Sequence, residues 1–190
     1  MATIICVKEA RDKGYVSVGV KDRDDVCYYT VSKIEYSELG SPVRHEEIDE
    51  DTVLLLCASD ERFRAKKKAL SILSYADNSE RMLALKLSRQ GFSRDAVLGA
   101  VKECVMLGYV DEMRQLTRLI PLLAAKLHGP RYIKHALMKK GYSSSDISSC
   151  IDTLVFSGEI DFKENLGRLF ERYQPSDDEE RRALARKYGY

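Results

Sequence analysis

Cations recur in this chain at a fixed interval. Arg81 and Arg131 are fifty residues apart, and so are Arg89 and Lys139. Lys86 accompanies the first pair, while Lys134 and Lys140 accompany the second; Arg64 and Lys67 precede them, and Arg182 and Arg186 follow. Guanidinium and ammonium groups at equivalent positions of a repeated unit line one edge of a stack. Such a row follows a phosphate backbone or an acidic protein surface without reading bases. Short amphipathic helices show polar residues outward in any case, so the recurrence in phase, not the number of charges, makes these residues the candidate partner or nucleic-acid contacts.

Other chemistry is poorly represented. His45, His128 and His135 have no cysteine or carboxylate partners at metal-ligand spacing. His128, directly before Gly129, is expected at a helix end, where an imidazolium complements the carbonyl dipole. Asp111 and Asp161 recur in phase, but each follows a Gly-x-hydrophobic turn and is expected to cap a helix, not to act as a catalytic acid. Phe92 and Tyr142 follow Gly91 and Gly141 and are expected to pack against their helices instead of stacking on bases. There is no glycine-rich phosphate loop and no serine elbow. The expectation is a non-enzymatic protein with no catalytic residue, cofactor or metal.

The overall charge of +1 conceals a division. Residues 1–60 carry 7 Lys and Arg against 13 Asp and Glu, a net of −6, whereas residues 62–140 carry 17 against 6, a net of +11. That asymmetry is the footprint of a polyanion-facing segment. Arg62, Lys66 and Lys68 add to the basic start of this region, and Arg181 and Lys187 to its end. No apolar run approaches the roughly 18 residues of a membrane span. The first residues lack the basic start and long apolar core of a signal peptide. Cys6, Cys27, Cys57, Cys104 and Cys150 form no CxxC pair and read as reduced, mostly buried thiols of a cytoplasmic protein.

A repeat must position the basic residues. Leu87-Ser88-Arg89-Gln90-Gly91-Phe92-Ser93 aligns without a gap with Leu137-Met138-Lys139-Lys140-Gly141-Tyr142-Ser143. Downstream, Val97, Val101, Val105, Gly108, Val110 and Asp111 match Ile147, Ile151, Val155, Gly158, Ile160 and Asp161. A period of this size marks a supersecondary unit that buries its apolar face on a copy of itself. A fainter copy closes the chain at Arg186-Lys187-Tyr188-Gly189-Tyr190. Ser93, Ser143, Asp111 and Asp161 supply helix starts, as does Ser176-x-x-Glu179, and the glycines supply helix ends. Gly129-Pro130 opens one short helix, and Leu116, Leu119, Ile120, Leu123 and Leu127 form the stripe of the helix before it, with Pro121 inside.

The first sixty residues differ. Residues 15–20 and 26–31 are β-branched and aromatic around the turn-rich 21–25, a hairpin to which residues 3–7 add a third strand. Ser32 is expected to cap a short helix through Leu39, with further helices from Asp49 to about Ala58 and from Asp60 to Tyr75. The expected fold is mainly α: tandem three-helix, helix-turn-helix-like repeats in an elongated curved array, with a small N-terminal β-hairpin or three-stranded element. Its boundaries read as 1–59 for the β-rich element, 60–110 and 111–160 for two helical repeats, and 161–190 for an incomplete third.

Four segments carry a family resemblance. Ala69-Leu70-Ser71-Ile72-Leu73-Ser74, Leu87-Ser88-Arg89-Gln90-Gly91-Phe92, Leu107-Gly108-Tyr109-Val110-Asp111-Glu112 and Gly129-Pro130-Arg131-Tyr132-Ile133, the last running on to Tyr142, resemble in order and spacing the RecX family of bacterial RecA regulators. The resemblance covers residues 61–160, and the N-terminal strands resemble the extra β-element of longer Gram-positive members. It implies a regulator in DNA repair and recombination and the SOS response. Such a protein binds the RecA–DNA filament, blocks its extension and inhibits recombinase and ATPase activity without hydrolysing anything itself. Direct contact with single- or double-stranded DNA is a further implied partner. Where the family carries an aromatic-Ala pair, this chain has Gln115-Leu116. Two other readings remain open: a general nucleic-acid-binding helical-repeat protein without a RecA partner, and a protein-interaction scaffold.

Overall fold

The computed structural model describes residues 1–23 and 25–190. Those residues form two compact units: residues 1–75 with 84–107, and residues 76–83 with 108–190.

In the first unit, β1 (Ala2–Glu9), β2 (Tyr15–Asp22) and β3 (Asp25–Ser32) pair antiparallel, and a two-residue β4 (Glu47–Ile48) completes a sheet of order β3-β2-β1-β4. The three longer strands lie where the β-branched runs place them. A two-residue strand carries too little pattern to be read from sequence. Period-two alternation turns Val16, Val18 and Val20 inward, where they join Ile4, Val31, Ile48 and Leu56 in one core. Ser32 caps α1 (Lys33–Glu38), accepting the Glu35 amide.

A single 26-residue helix, α2 (Glu50–Tyr75), replaces the two helices expected on either side of residue 59. No glycine or proline interrupts this stretch. The two polar residues at that expected junction bond sideways: Ser59 Oγ donates to Glu35 Oε2 at 2.7 Å, and Asp60 Oδ1 accepts the Thr30 amide at 2.9 Å. The boundary read at 59/60 therefore falls inside α2. Helix α4 (Arg94–Met106), capped by Ser93, packs on α2 through Val97, Ala100, Val101 and Cys104. Glu61 of α2 accepts both the Ser93 amide and its hydroxyl.

In the second unit, α5 (Glu112–Ala124), α6 (Pro130–Lys139), α7 (Ser144–Phe156), α8 (Phe162–Tyr173) and α9 (Asp178–Tyr188) follow one another. Leu116, Ile120, Ile133, Leu137, Ile147, Ile151 and Leu154 make its core. Fully burying each such side chain contributes about 1.5–3 kcal/mol. Helix α7 begins and ends fifty residues after α4, and α8 begins fifty after α5. The period seen in sequence is thus a period of helices. Between the units' core residues, Cys150 matches Ala100 as a buried small side chain. Helix α3 (Glu80–Ser88) is divided between the two units after Leu83.

Two boundaries moved. Asp177, not Ser176, caps α9, and the carboxylate reaching back to Ser176 belongs to Glu180, so the capping box is shifted by one residue. Leu127 lies beyond α5 in a left-handed conformation, φ 64°, because the chain must reverse before Gly129.

Candidate polyanion-binding site

Salt bridges within the first unit hold several of the basic candidates. On α2, Arg64 Nε bonds Asp60 at 2.7 Å, and Lys67 Nζ pairs with Asp12 at 3.0 Å while lying over the Phe63 ring. Their neighbours are also held: Arg62 by Glu35 and Lys66 by Glu103, each at 2.5 Å. The basic start of the helical region is therefore largely neutralised by its own unit. Glu35 is the centre of one such network. Burial pushes its carboxyl up, but hydrogen bonds from Ser59, Ser32 and Arg62, with the Arg62 charge, pull harder and leave it at about 2.

Of the remaining candidates, Lys86 and Arg89 stand exposed on and just after α3 in the first unit. Arg81, Arg131, Lys139, Lys140, Arg182 and Arg186 are exposed in the second, and no salt bridge to a described residue ties any of these six. Lys134 is half-buried, its ammonium on Ser148 Oγ at 2.8 Å, and so is less available than the sequence suggested.

Local packing brings three of the free cations together. Gly141 ends α6 at φ 93°, and a Cβ there would stand 2.5 Å from Ser79 Oγ and 3.3 Å from Arg81 Cβ. Ser79 Oγ donates to the Lys140 carbonyl at 2.7 Å. The start of α3 is thus pinned onto the Lys139-Lys140-Gly141 turn, placing Arg81 beside it. Under this contact lies a buried polar bridge: Tyr142 Oη donates to Gln115 Oε1 at 2.7 Å, and Gln115 Nε2 donates to the Asn78 carbonyl at 3.4 Å. Burial raises the Tyr142 hydroxyl, and Glu112 and Asp77 push the same way against Arg118, so the phenol keeps the proton it donates. Tyr142 packs as expected. Gln115, read only as a departure from the family pattern, is the residue that joins the two sides.

Two clefts border this region. One, of about 450 Å³, is lined by Arg81, Met138, Gly141 and Ser144, and also by Glu80 and Glu112. Burial raises the Glu112 carboxyl, and Glu80 and Asp146 add to the rise against a hydrogen bond from the Glu80 amide. The other, of about 610 Å³, holds Tyr109, Arg114, Thr117 and Arg118, with Asp77 ion-paired to Arg118. Arg114 has a Glu at the equivalent position 164, whereas Arg118 does recur as Arg168, a match not used among the candidates above. Their i, i+4 spacing on α5 was the available signal.

Three further readings change. His128 does not cap as an imidazolium. It stacks on Tyr132 at 3.8 Å between ring centres, and burial, then Lys126, lowers its pKa, so the ring is a neutral plate between aromatics. Only Cys104 and Cys150 are buried, while Cys27 and Cys57 are exposed and Cys6 is intermediate. Asp111 and Asp161 do cap α5 and α8. Among the described residues no group of three His, Cys, Asp or Glu converges as a metal site, and no helix is long and apolar enough to cross a membrane.

The described residues thus form a mainly helical chain with a small curled antiparallel sheet at its N-terminus and exposed cations on its second unit. No family model matches the chain. Regulatory protein RecX of Stenotrophomonas maltophilia (strain K279a) is 25% identical over 119 residues, which span 63% of this chain and 73% of that one. Regulatory protein RecX of Legionella pneumophila (strain Corby) is 32% identical over 88 residues, 46% of this chain and 59% of that one. A crystal structure of regulatory protein RecX superposes with a TM-score of 0.70 at 20% identity, covering 98% of this chain and 91% of its own. RecX from Lactobacillus salivarius superposes with a TM-score of 0.56 at 16% identity, covering 68% and 86%. Sequence relatives and fold agree in what this chain is similar to, regulatory proteins named RecX.

Proposed function

We propose that this protein modulates RecA without chemistry of its own, by binding the RecA–DNA filament and restraining its ATPase activity and extension. The observation that carries this reading is the split among the cations. Arg62, Arg64, Lys66 and Lys67 on α2 are consumed by internal carboxylates, whereas Arg81, Arg131, Lys139, Lys140, Arg182 and Arg186 stay exposed without a salt bridge to a described residue. Unpaired guanidinium and ammonium groups attract phosphates and acidic protein surface by release of counterions, which binds a filament regardless of DNA sequence. The Ser79–Lys140 bond, above the buried Tyr142–Gln115 bridge, holds the backbone that carries Lys140 against the start of the helix that carries Arg81.

The test is RecA ATP hydrolysis on single-stranded DNA, titrated with the protein and with an Arg81→Glu, Arg131→Glu, Lys139→Glu, Lys140→Glu variant whose circular dichroism is unchanged. The unaltered protein depresses hydrolysis, and the variant needs at least about tenfold more protein for the same effect, the loss expected of several phosphate contacts. Equal potency of the two proteins would remove the basic residues from the account. Lack of any effect of either would remove RecA. Gel shifts with DNA alone across a salt series then separate a general nucleic-acid binder, which shifts DNA without RecA, from a protein-interaction scaffold, which does not.

A further inference from the structure

The N-terminal sheet has an edge that its own unit leaves half covered. β3 is the outer strand, paired with β2 from Asp22↔Asp25 to Tyr15↔Ser32. In an antiparallel ladder, alternate residues turn N–H and C=O toward the neighbour and away from it. The phase is set by Thr30, whose N–H points outward and is taken by Asp60. Tyr28 and Val26, two and four residues earlier, therefore also direct their backbone groups off the sheet. Their side chains share the face away from α2 and are 62% and 47% exposed. The Tyr28 ring is held flat over Gly19, its Cε1 3.0 Å from where a Cβ of that glycine would stand. Natural edges are usually blunted by charge, proline or a covering element. Among the described residues a side chain takes an outward backbone group of this edge only at Thr30, and the stretch before it is Val26-Cys27-Tyr28.

We infer that β3 pairs antiparallel with β3 of a second copy of this chain, about a twofold axis through Cys27. The register follows from the structure. Pairing Val26 with Tyr28 of the other copy engages all the free groups on both strands. A shift of one register step sets Val26 against Thr30, whose N–H Asp60 already holds, and the opposite shift carries Tyr28 past Asp25, where the partner's strand begins. In the chosen register each Val26 covers the other copy's Tyr28, the reciprocal contact a twofold interface requires. No carboxylate faces its own copy. Asp25 falls opposite Tyr29, next to the Asp60 that caps Thr30, and Arg64 engages that Asp60 through Nε, leaving its Nη groups for Asp25 of the other copy. The two Cys27 residues become a non-hydrogen-bonded pair with Cα atoms about 4.5 Å apart, within reach of a disulfide. The contact is small, so the dimer is weak, with a dissociation constant on the order of 10⁻⁴ M.

Sedimentation equilibrium on the full chain gives a mass that climbs from monomer toward dimer across that range, and amide exchange at Val26 and Tyr28 slows severalfold at the upper end. In a Cys6→Ser, Cys57→Ser variant, diamide links two chains: each pair of Cys27 thiols gives two protons and two electrons to the diazene and forms one S–S bond. Adding Cys27→Ser abolishes the link. Val26→Lys with Tyr28→Lys weakens association at least tenfold. Should that variant misfold, the amide exchange of the unaltered protein decides alone. A mass that stays monomeric with exchange independent of concentration overturns the inference. So does a dimer protected elsewhere and not linked through Cys27, or protection of these amides only by an added, different protein.

Discussion

Replacing Tyr142 with Phe removes one oxygen and strands another. Tyr142 and Gln115 are each 5% exposed, and the 2.7 Å bond from the phenol is the only hydrogen bond that reaches Gln115 Oε1 from a described residue. Water cannot replace the lost donor without entering the core, so Tyr142→Phe leaves a buried acceptor unsatisfied at about 1–3 kcal/mol. Gln115→Leu strands the Tyr142 hydroxyl and withdraws a donor from the Asn78 carbonyl, for a similar loss of about 1–3 kcal/mol. The double variant replaces both ends of the bond with apolar groups of like shape. It is expected to be more stable than the sum of the singles by about 1–2 kcal/mol, since neither end of the Tyr142–Gln115 bond is then stranded and only the Gln115 donor to the Asn78 carbonyl is still lost. Urea unfolding followed by far-ultraviolet circular dichroism on the four proteins closes the cycle. Additivity within about 0.5 kcal/mol would show that the two side chains do not act as a pair, and the reasoning would fail.

Gly141→Ala combines a left-handed φ of 93° with a Cβ 2.5 Å from Ser79 Oγ, so it should destabilise by about 1–3 kcal/mol in the same urea assay, whereas Gly158→Ala, equally left-handed but in open space, should lose less. Stability should also depend on acid through Glu35. Its folded pKa of about 2 lies below the ordinary 4.5, so its contribution is complete above pH 4.5 and disappears as the pH falls toward 2. Part exposure and screening reduce that contribution to about 1–2 kcal/mol, and Glu35→Gln should flatten the acid limb of the stability profile measured by urea titration. An unchanged limb would mean that the Ser32, Ser59 and Arg62 bonds do not favour the ionised carboxyl.

What the sequence determined was periodic and local. Valines at every second position place β2, Ser93 and Ser143 start α4 and α7, Asp111 and Asp161 start α5 and α8, and a fifty-residue recurrence of apolar residues sets the helix lengths. These features depend on neighbours a few residues away, and side-chain pattern encodes them directly. The fate of a charge depends on what folds against it. Arg64 and Lys67 looked no different from Arg81 and Lys140, yet the first two meet Asp60 and Asp12 while no described carboxylate pairs with the second two. Ser59 and Asp60 lie inside one continuous helix and bond to Glu35 and the Thr30 amide, partners distant in sequence. Gln115 acquired a role only when Tyr142, twenty-seven residues on, donated to it. Hydrogen bonds and ion pairs between residues distant in sequence form only once the apolar faces have packed, and tertiary structure alone decides which polar groups are spent on the fold and which remain for a partner.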